Sequence, residues 1–202
     1  MMTPPSHALS RSLMQAALVA LALMLSSGGS HAADWGLDQL MEDLAKIRSG
    51  RARFTEEKTI AMLDAPVESS GELFYRAPDH LERHTFEPKS ESMTVDGGDL
   101  LIVRDGQEYR LQLQGYPELA AFIDSIRGTL AGDRQALEHK YRLGLEGDAE
   151  NWVLQLLPVD EKMQAIVWRI RIGGVHDDVR SIEITLADGD SSLMRIERLD
   201  KP

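Results

Sequence analysis

The chain has 202 residues, of which 43% are hydrophobic and 27% charged, a composition that excludes a disordered or wholly membrane-embedded protein and fits one globular domain. Acidic residues outnumber basic ones 33 to 22, which argues against a nucleic-acid partner or an anionic membrane surface. There is no cysteine, so neither a disulfide framework nor a lipid anchor on a cysteine is available.

The N-terminus reads as a secretory signal peptide. Arg11 precedes an apolar run from Leu13 to Leu25, and small residues follow as far as Ser30, His31, Ala32 and Ala33. The run is well short of the roughly 20 residues that a spanning helix needs, and Ser30 with Ala32 satisfies the small-residue cleavage rule. Residues 1–32 are therefore expected to be removed near Ala32, leaving 33–202 as one exported, periplasmic domain. The leader holds one basic and no acidic residue, so its loss makes the charge more negative.

Leu37, Leu40, Met41, Leu44 and Ile47 recur at helical spacing, with Gly50 placed as the stop. From Ala52 the period changes to two, predicting strands near 51–62, 67–76, 80–86 and 91–95, separated by turns at Asp64 to Pro66, Ala77 to Asp79 and Glu87 to Lys89, with Gly97 and Gly98 after the last. Segments 100–104 and 107–113 flank Asp105 and Gly106, a strong hairpin signal. A helix opens at Pro117 and places Leu119, Phe122, Ile123, Ile126 and Leu130 on one face, and a short polar helix follows near Asp133 to Leu137. Strands resume near 139–146, 151–157, 165–172, 179–187 and 192–199. In the third of these, Ile166, Trp168, Ile170 and Ile172 alternate with Val167, Arg169 and Arg171, predicting one apolar and one wet face. This order makes an α+β chain built on a large antiparallel sheet of about ten or eleven strands.

Catalytic signals are missing. There is neither a G-x-S-x-G elbow nor a P-loop, and the Asp-Gly pairs at 96, 105 and 188 fall at strand turns, so the chain does not read as an enzyme and calls for no cofactor. His80 and His84 have the spacing of two zinc ligands on a helix, but in a strand four residues span about 13 Å, too far for one metal ion. What remains is apolar, including Phe54, Phe74, Leu81, Trp152 and Trp168. Periodicity by itself reads these residues and the Pro117 helix as ordinary core.

ARFTEE (52–57), GELFYRAPDHL (71–81), the Asp96, Gly97 and Leu100 turn, and RIGGVHDDVRSIEITLADGDSSLMRI (171–196) together resemble, in order and spacing, the LolA family of periplasmic lipoprotein carriers. The resemblance implies an incomplete β-barrel, a curved sheet whose concave apolar face is covered by helices and binds the acyl chains of a lipoprotein or other lipid-linked cargo. It also implies an inner-membrane donor and an outer-membrane acceptor, with the carrier acting as a monomer. By position it makes the helix from Pro117 the lid, puts Leu81 at the cavity mouth and Phe54 on the inner face, and assigns Leu73, Met93, Leu119, Phe122, Ile123 and Ile126 to the cavity and lid. Two departures mark a divergent member. Ala77 stands where the family has a lid-latching arginine before the proline, with Arg76 one residue earlier and so on the opposite face, and the chain stops at Pro202 without the family's final strand. A sensing or interaction domain of the same fold, binding a signalling partner protein, is the alternative reading.

Overall fold

A computed structural model describes residues 35–199; the expected leader and its cleavage site lie outside the described residues. The chain forms α1 (Leu37–Ala45), β1 (Ser49–Thr59), β2 (Val67–Arg76), β3 (His80–Glu87), β4 (Glu91–Asp96), β5 (Asp99–Arg104) and β6 (Gln107–Gln112). After a short turn come α2 (Pro117–Leu130), α3 (Arg134–Glu138), β7 (Tyr141–Asp148), β8 (Asn151–Pro158), α4 (Glu161–Gln164), β9 (Val167–Val175), β10 (Asp178–Leu186) and β11 (Ser191–Arg198). The eleven strands make one sheet in the order β6-β5-β4-β3-β2-β1-β11-β10-β9-β8-β7. Each paired neighbour is antiparallel, as the alternating sequence predicted.

The first strand pairs with the last, from Ala52 opposite Arg198 to Thr59 opposite Ser191, in the middle of the sheet. The sheet does not close, because β6 and β7 stay at its two edges. The segment that joins those edges carries α2 and α3. This is the α+β incomplete barrel expected from the sequence.

Turn chemistry sets several joints. Asp105 and Gly106 both take positive φ, 54° and 74°, which is the pair that a tight hairpin with the right twist requires. At the centre of the sheet Phe54 faces Gly71, where a Cβ would lie 2.9 Å from its ring and 1.9 Å from the His84 carbonyl oxygen, so only glycine fits beneath the ring. Asp133 and Asp160 cap α3 and α4 by accepting from the backbone N–H groups of Ala136 and Met163 at 2.9 and 3.0 Å.

Three expectations change. The first helix ends at Ala45, and Gly50 is not its stop but part of β1, opposite Tyr75, because the backbone from Ser49 onward is already taken up by β2. The strand predicted at 165–172 begins only at Val167, since α4 occupies Glu161–Gln164. Trp168 is 56% exposed rather than part of an apolar face, and its ring lies against Arg169 at 4.6 Å. The cause is a β-bulge: Thr185 faces Arg169 but Leu186 faces Val167, so Trp168 is skipped in the pairing and Val167 turns inward in its place.

Candidate functional site

Two apolar clusters occupy the concave side. In one, Leu40 and Leu44 of α1 meet Trp152, Leu154 and Ile172, all fully buried. The other gathers Val95, Leu100, Leu113 and Ile123. Phe122 of α2 packs against both. Between the sheet and α2 lies a cavity of about 550 Å³, within the range of small-molecule sites.

Period two determines which strand residues reach it. Leu73 and Tyr75 of β2, Leu81 and Arg83 of β3, and Met93 and Val95 of β4 share one face through the register, as do Ile182 and Ile184 of β10 with Met194 and Ile196 of β11. From α2 come Leu119, Phe122, Ile123 and Ile126. The structure thus brings Leu73, Leu81, Met93, Leu119, Phe122, Ile123 and Ile126 around one space. Phe54 is placed differently. It faces inward but is 2% exposed, stacked beneath the Arg83 guanidinium at 4.6 Å, and does not line the cavity.

Among the polar residues of this wall, Glu56 is the buried carboxylate. Glu56 is 6% exposed, and its carboxylate accepts from Ser192 Oγ at 2.6 Å, Arg83 Nη2 at 2.6 Å and Ser69 Oγ at 3.1 Å, with Lys58 Nζ at 3.7 Å. Burial pushes its pKa up, but the Ser192 hydroxyl and the charges of Arg83 and Lys58 outweigh that, so the carboxyl is held below its ordinary value and stays ionised. Glu56 shares the parity of Phe54 along β1, and that alternation is the sequence signal that could have found it.

Helix α2 is held from the β7 side. The Tyr141 hydroxyl donates to the Ala121 carbonyl at 2.8 Å, and Lys140 pairs with Asp124 at 2.5 Å. Burial, with the nearby Asp124 charge, pushes the Tyr141 pKa up to about 12. Arg76 is exposed and points to the outer face, as its parity predicted, so it is no latch. Leu137 fits against Gly128, where a Cβ would lie 2.8 Å from its side chain, so α3 also braces α2.

His80 and His84 lie on β3 as expected, joined through Glu82 between them, whose two oxygens meet their Nε2 atoms at 2.7 and 2.8 Å. The Glu82 hydrogen bond raises the His80 pKa above its ordinary value. Among the described residues no group of three or more histidine or acidic side chains is arranged to hold a metal ion.

The chain was compared with known proteins. No curated protein matches it. Solved structures with a similar fold include a LolA superfamily protein from Nitrosomonas europaea, 14% identical with a TM-score of 0.44, the match covering 81% of this chain and 93% of that one. A DUF1329 family protein from Desulfovibrio piger is 10% identical with a TM-score of 0.49, covering 80% and 88%. The Pseudomonas aeruginosa MucA/MucB complex matches at 15% identity and a TM-score of 0.47, covering 82% and 58%. The family model described as "Outer membrane lipoprotein carrier protein LolA-like" matches residues 28–195, nearly the whole chain, and the open eleven-stranded sheet agrees with it. The chain therefore belongs to this LolA-like family.

Proposed function

We propose that the protein is a periplasmic carrier that binds the acyl chains of a lipoprotein or of another lipid-linked cargo in its cavity and moves that cargo towards the outer membrane. The observation that carries this reading is the apolar space between sheet and lid, walled by Leu73, Met93, Phe122 and Ile126 and by the closing strands. Its main driving force is burial. Each methylene removed from water contributes about 0.8 kcal/mol, so a chain of some fifteen carbons brings on the order of 10 kcal/mol before the costs of binding. An inner-membrane donor would load it and an outer-membrane acceptor would unload it. Apolar burial has no directional bonds to break, so transfer needs only a lid that opens. The apolar cavity is what favours the carrier over a partner-binding domain of the same fold.

The test is mass spectrometry of the protein purified without detergent from its own periplasm. The expected result is an acylated molecule bound at one per chain and released by organic extraction. Protein that emerges free of any acyl species, although purified under conditions that keep lipids bound, would count against the carrier.

A further inference from the structure

The cavity wall runs along β1 and finishes differently at its two ends. At the Gly50 end it finishes in Arg51, Asp177, Asp178 and Arg198. At the other end it reaches Ile60, and the chain then turns back to β2 through a loop whose apolar side chains stand in water. Met62 at the tip is 93% exposed and Leu63 is 51% exposed, and Val67, opposite Lys58 at the base of the hairpin, is exposed as well. The loop is fastened around the tip. The Ala61 N–H donates to the Asp190 carboxylate at 2.8 Å, and the Leu63 N–H donates to the Ile60 carbonyl at 2.9 Å.

Large apolar side chains at a loop tip add little to folding, because hydrophobic stabilisation scales with the area removed from water. Two of them are also too few for a stable protein partner, whose interface takes about 800 Å² from each side. They suit a surface that is touched and released. Charge narrows the kind of surface. Glu57 and Glu68 face each other across the hairpin and Asp64 follows the tip, all three exposed, while Lys58 beside them is drawn to the buried Glu56 at 3.7 Å. Anionic headgroups would be repelled here, whereas neutral, zwitterionic ones would not.

We propose that the β1–β2 tip, Met62 with Leu63, dips into the surface of a zwitterionic lipid bilayer, so that an acyl chain passes between membrane and cavity along Ile60 without crossing water. This rests on the carrier reading and adds the surface at which the carrier exchanges its cargo. Each methylene kept out of water on the way lowers the barrier to transfer. Two side chains make a weak contact, which lets the carrier leave the surface again.

The test loads lipid-stripped protein with anthroyloxy-labelled stearic acid and mixes it with phosphatidylcholine vesicles that contain a quenching lipid. Transfer during contact has a rate that rises with vesicle concentration, whereas escape through water has a rate set by dissociation and independent of it. The unaltered protein should show the first dependence, and at low salt it should deliver more slowly to phosphatidylglycerol vesicles than to phosphatidylcholine. The double variant Met62→Gln, Leu63→Gln should slow transfer to phosphatidylcholine roughly tenfold, the worth of two partly inserted side chains, and leave equilibrium binding of the probe unchanged. Met62→Leu should transfer as the unaltered protein does. A rate independent of vesicle concentration, or a double variant as fast as the parent, overturns the membrane contact and leaves the carrier standing. Faster delivery to phosphatidylglycerol overturns the zwitterionic surface. If the probe does not bind the unaltered protein, the carrier reading fails and the contact with it.

Discussion

Leu81→Glu is expected to fold and to lose its acyl ligand. Leu81 lines the cavity opposite Tyr75 and Val95 and is only partly buried, at the rim of the second apolar cluster. A glutamate there has Arg83 two residues along on the same face and stands at the rim of the cluster, outside the fully buried core. Stability should therefore fall by no more than about 1 to 2 kcal/mol, the loss of one leucine's partial burial. Binding is another matter. The carboxylate would lie in the path of the chain, and desolvating it against methylenes opposes binding by about 3 kcal/mol or more, over a hundredfold in affinity. Circular dichroism melting beside probe displacement reads both quantities. Normal binding by folded Leu81→Glu protein would remove Leu81 from the site, and a protein that cannot fold would return it to the core.

The largest loss of stability is expected from Arg83→Met. Glu56 would then remain buried with two hydroxyls and a partly exposed lysine as its partners. Removing one partner of a buried ion pair costs about 3 to 5 kcal/mol, and because Arg83 is 25% exposed the lower end applies. The pH dependence has a definite sign. In the parent protein the Glu56 pKa is lowered, so its contribution is present above the ordinary carboxylate value and is lost as pH falls through the depressed one. In Arg83→Met burial prevails and raises the folded pKa, so the variant should weaken as pH rises from about 5 to 8. The double variant Glu56→Met, Arg83→Met removes charge from both positions and should recover most of the loss at pH 8. Denaturant titrations of the three proteins at the two pH values decide this. A double variant no more stable than Arg83→Met would show that the pair is not coupled as described.

Local signals carried most of the fold. Proline at the first helical position and a clear apolar face gave α2 its observed bounds, and Asp105 with Gly106 gave the β5–β6 hairpin. Trp168 was misread because a bulge inserts one residue into the pairing and reverses parity, which β9 alone does not reveal. The site was half legible. Its apolar lid and sheet residues follow from periodicity and from likeness to carriers, but Ile184 and Met194 reach the cavity through β1–β11 pairing across most of the chain, which no local pattern encodes. Glu56, Tyr75 and Arg83 were passed over because charged and hydroxyl-bearing residues in a strand read as its wet face. Their parity with Phe54, Leu73 and Leu81 is the signal that puts them inside. Phe54 was placed on the correct face, but the stacked Arg83 covers it.

The most direct test of the cavity is a methyl NMR titration of lipid-stripped protein with dodecanoic acid. Saturable shifts at one ligand per chain are expected for Leu73, Leu119, Ile126, Ile184 and Met194, which line the space, while Leu154, Leu156 and Ile170, buried in the first cluster, stay in place. Shifts that never saturate, or that fall on the buried cluster and leave the cavity methyls unmoved, would contradict an acyl-binding cavity.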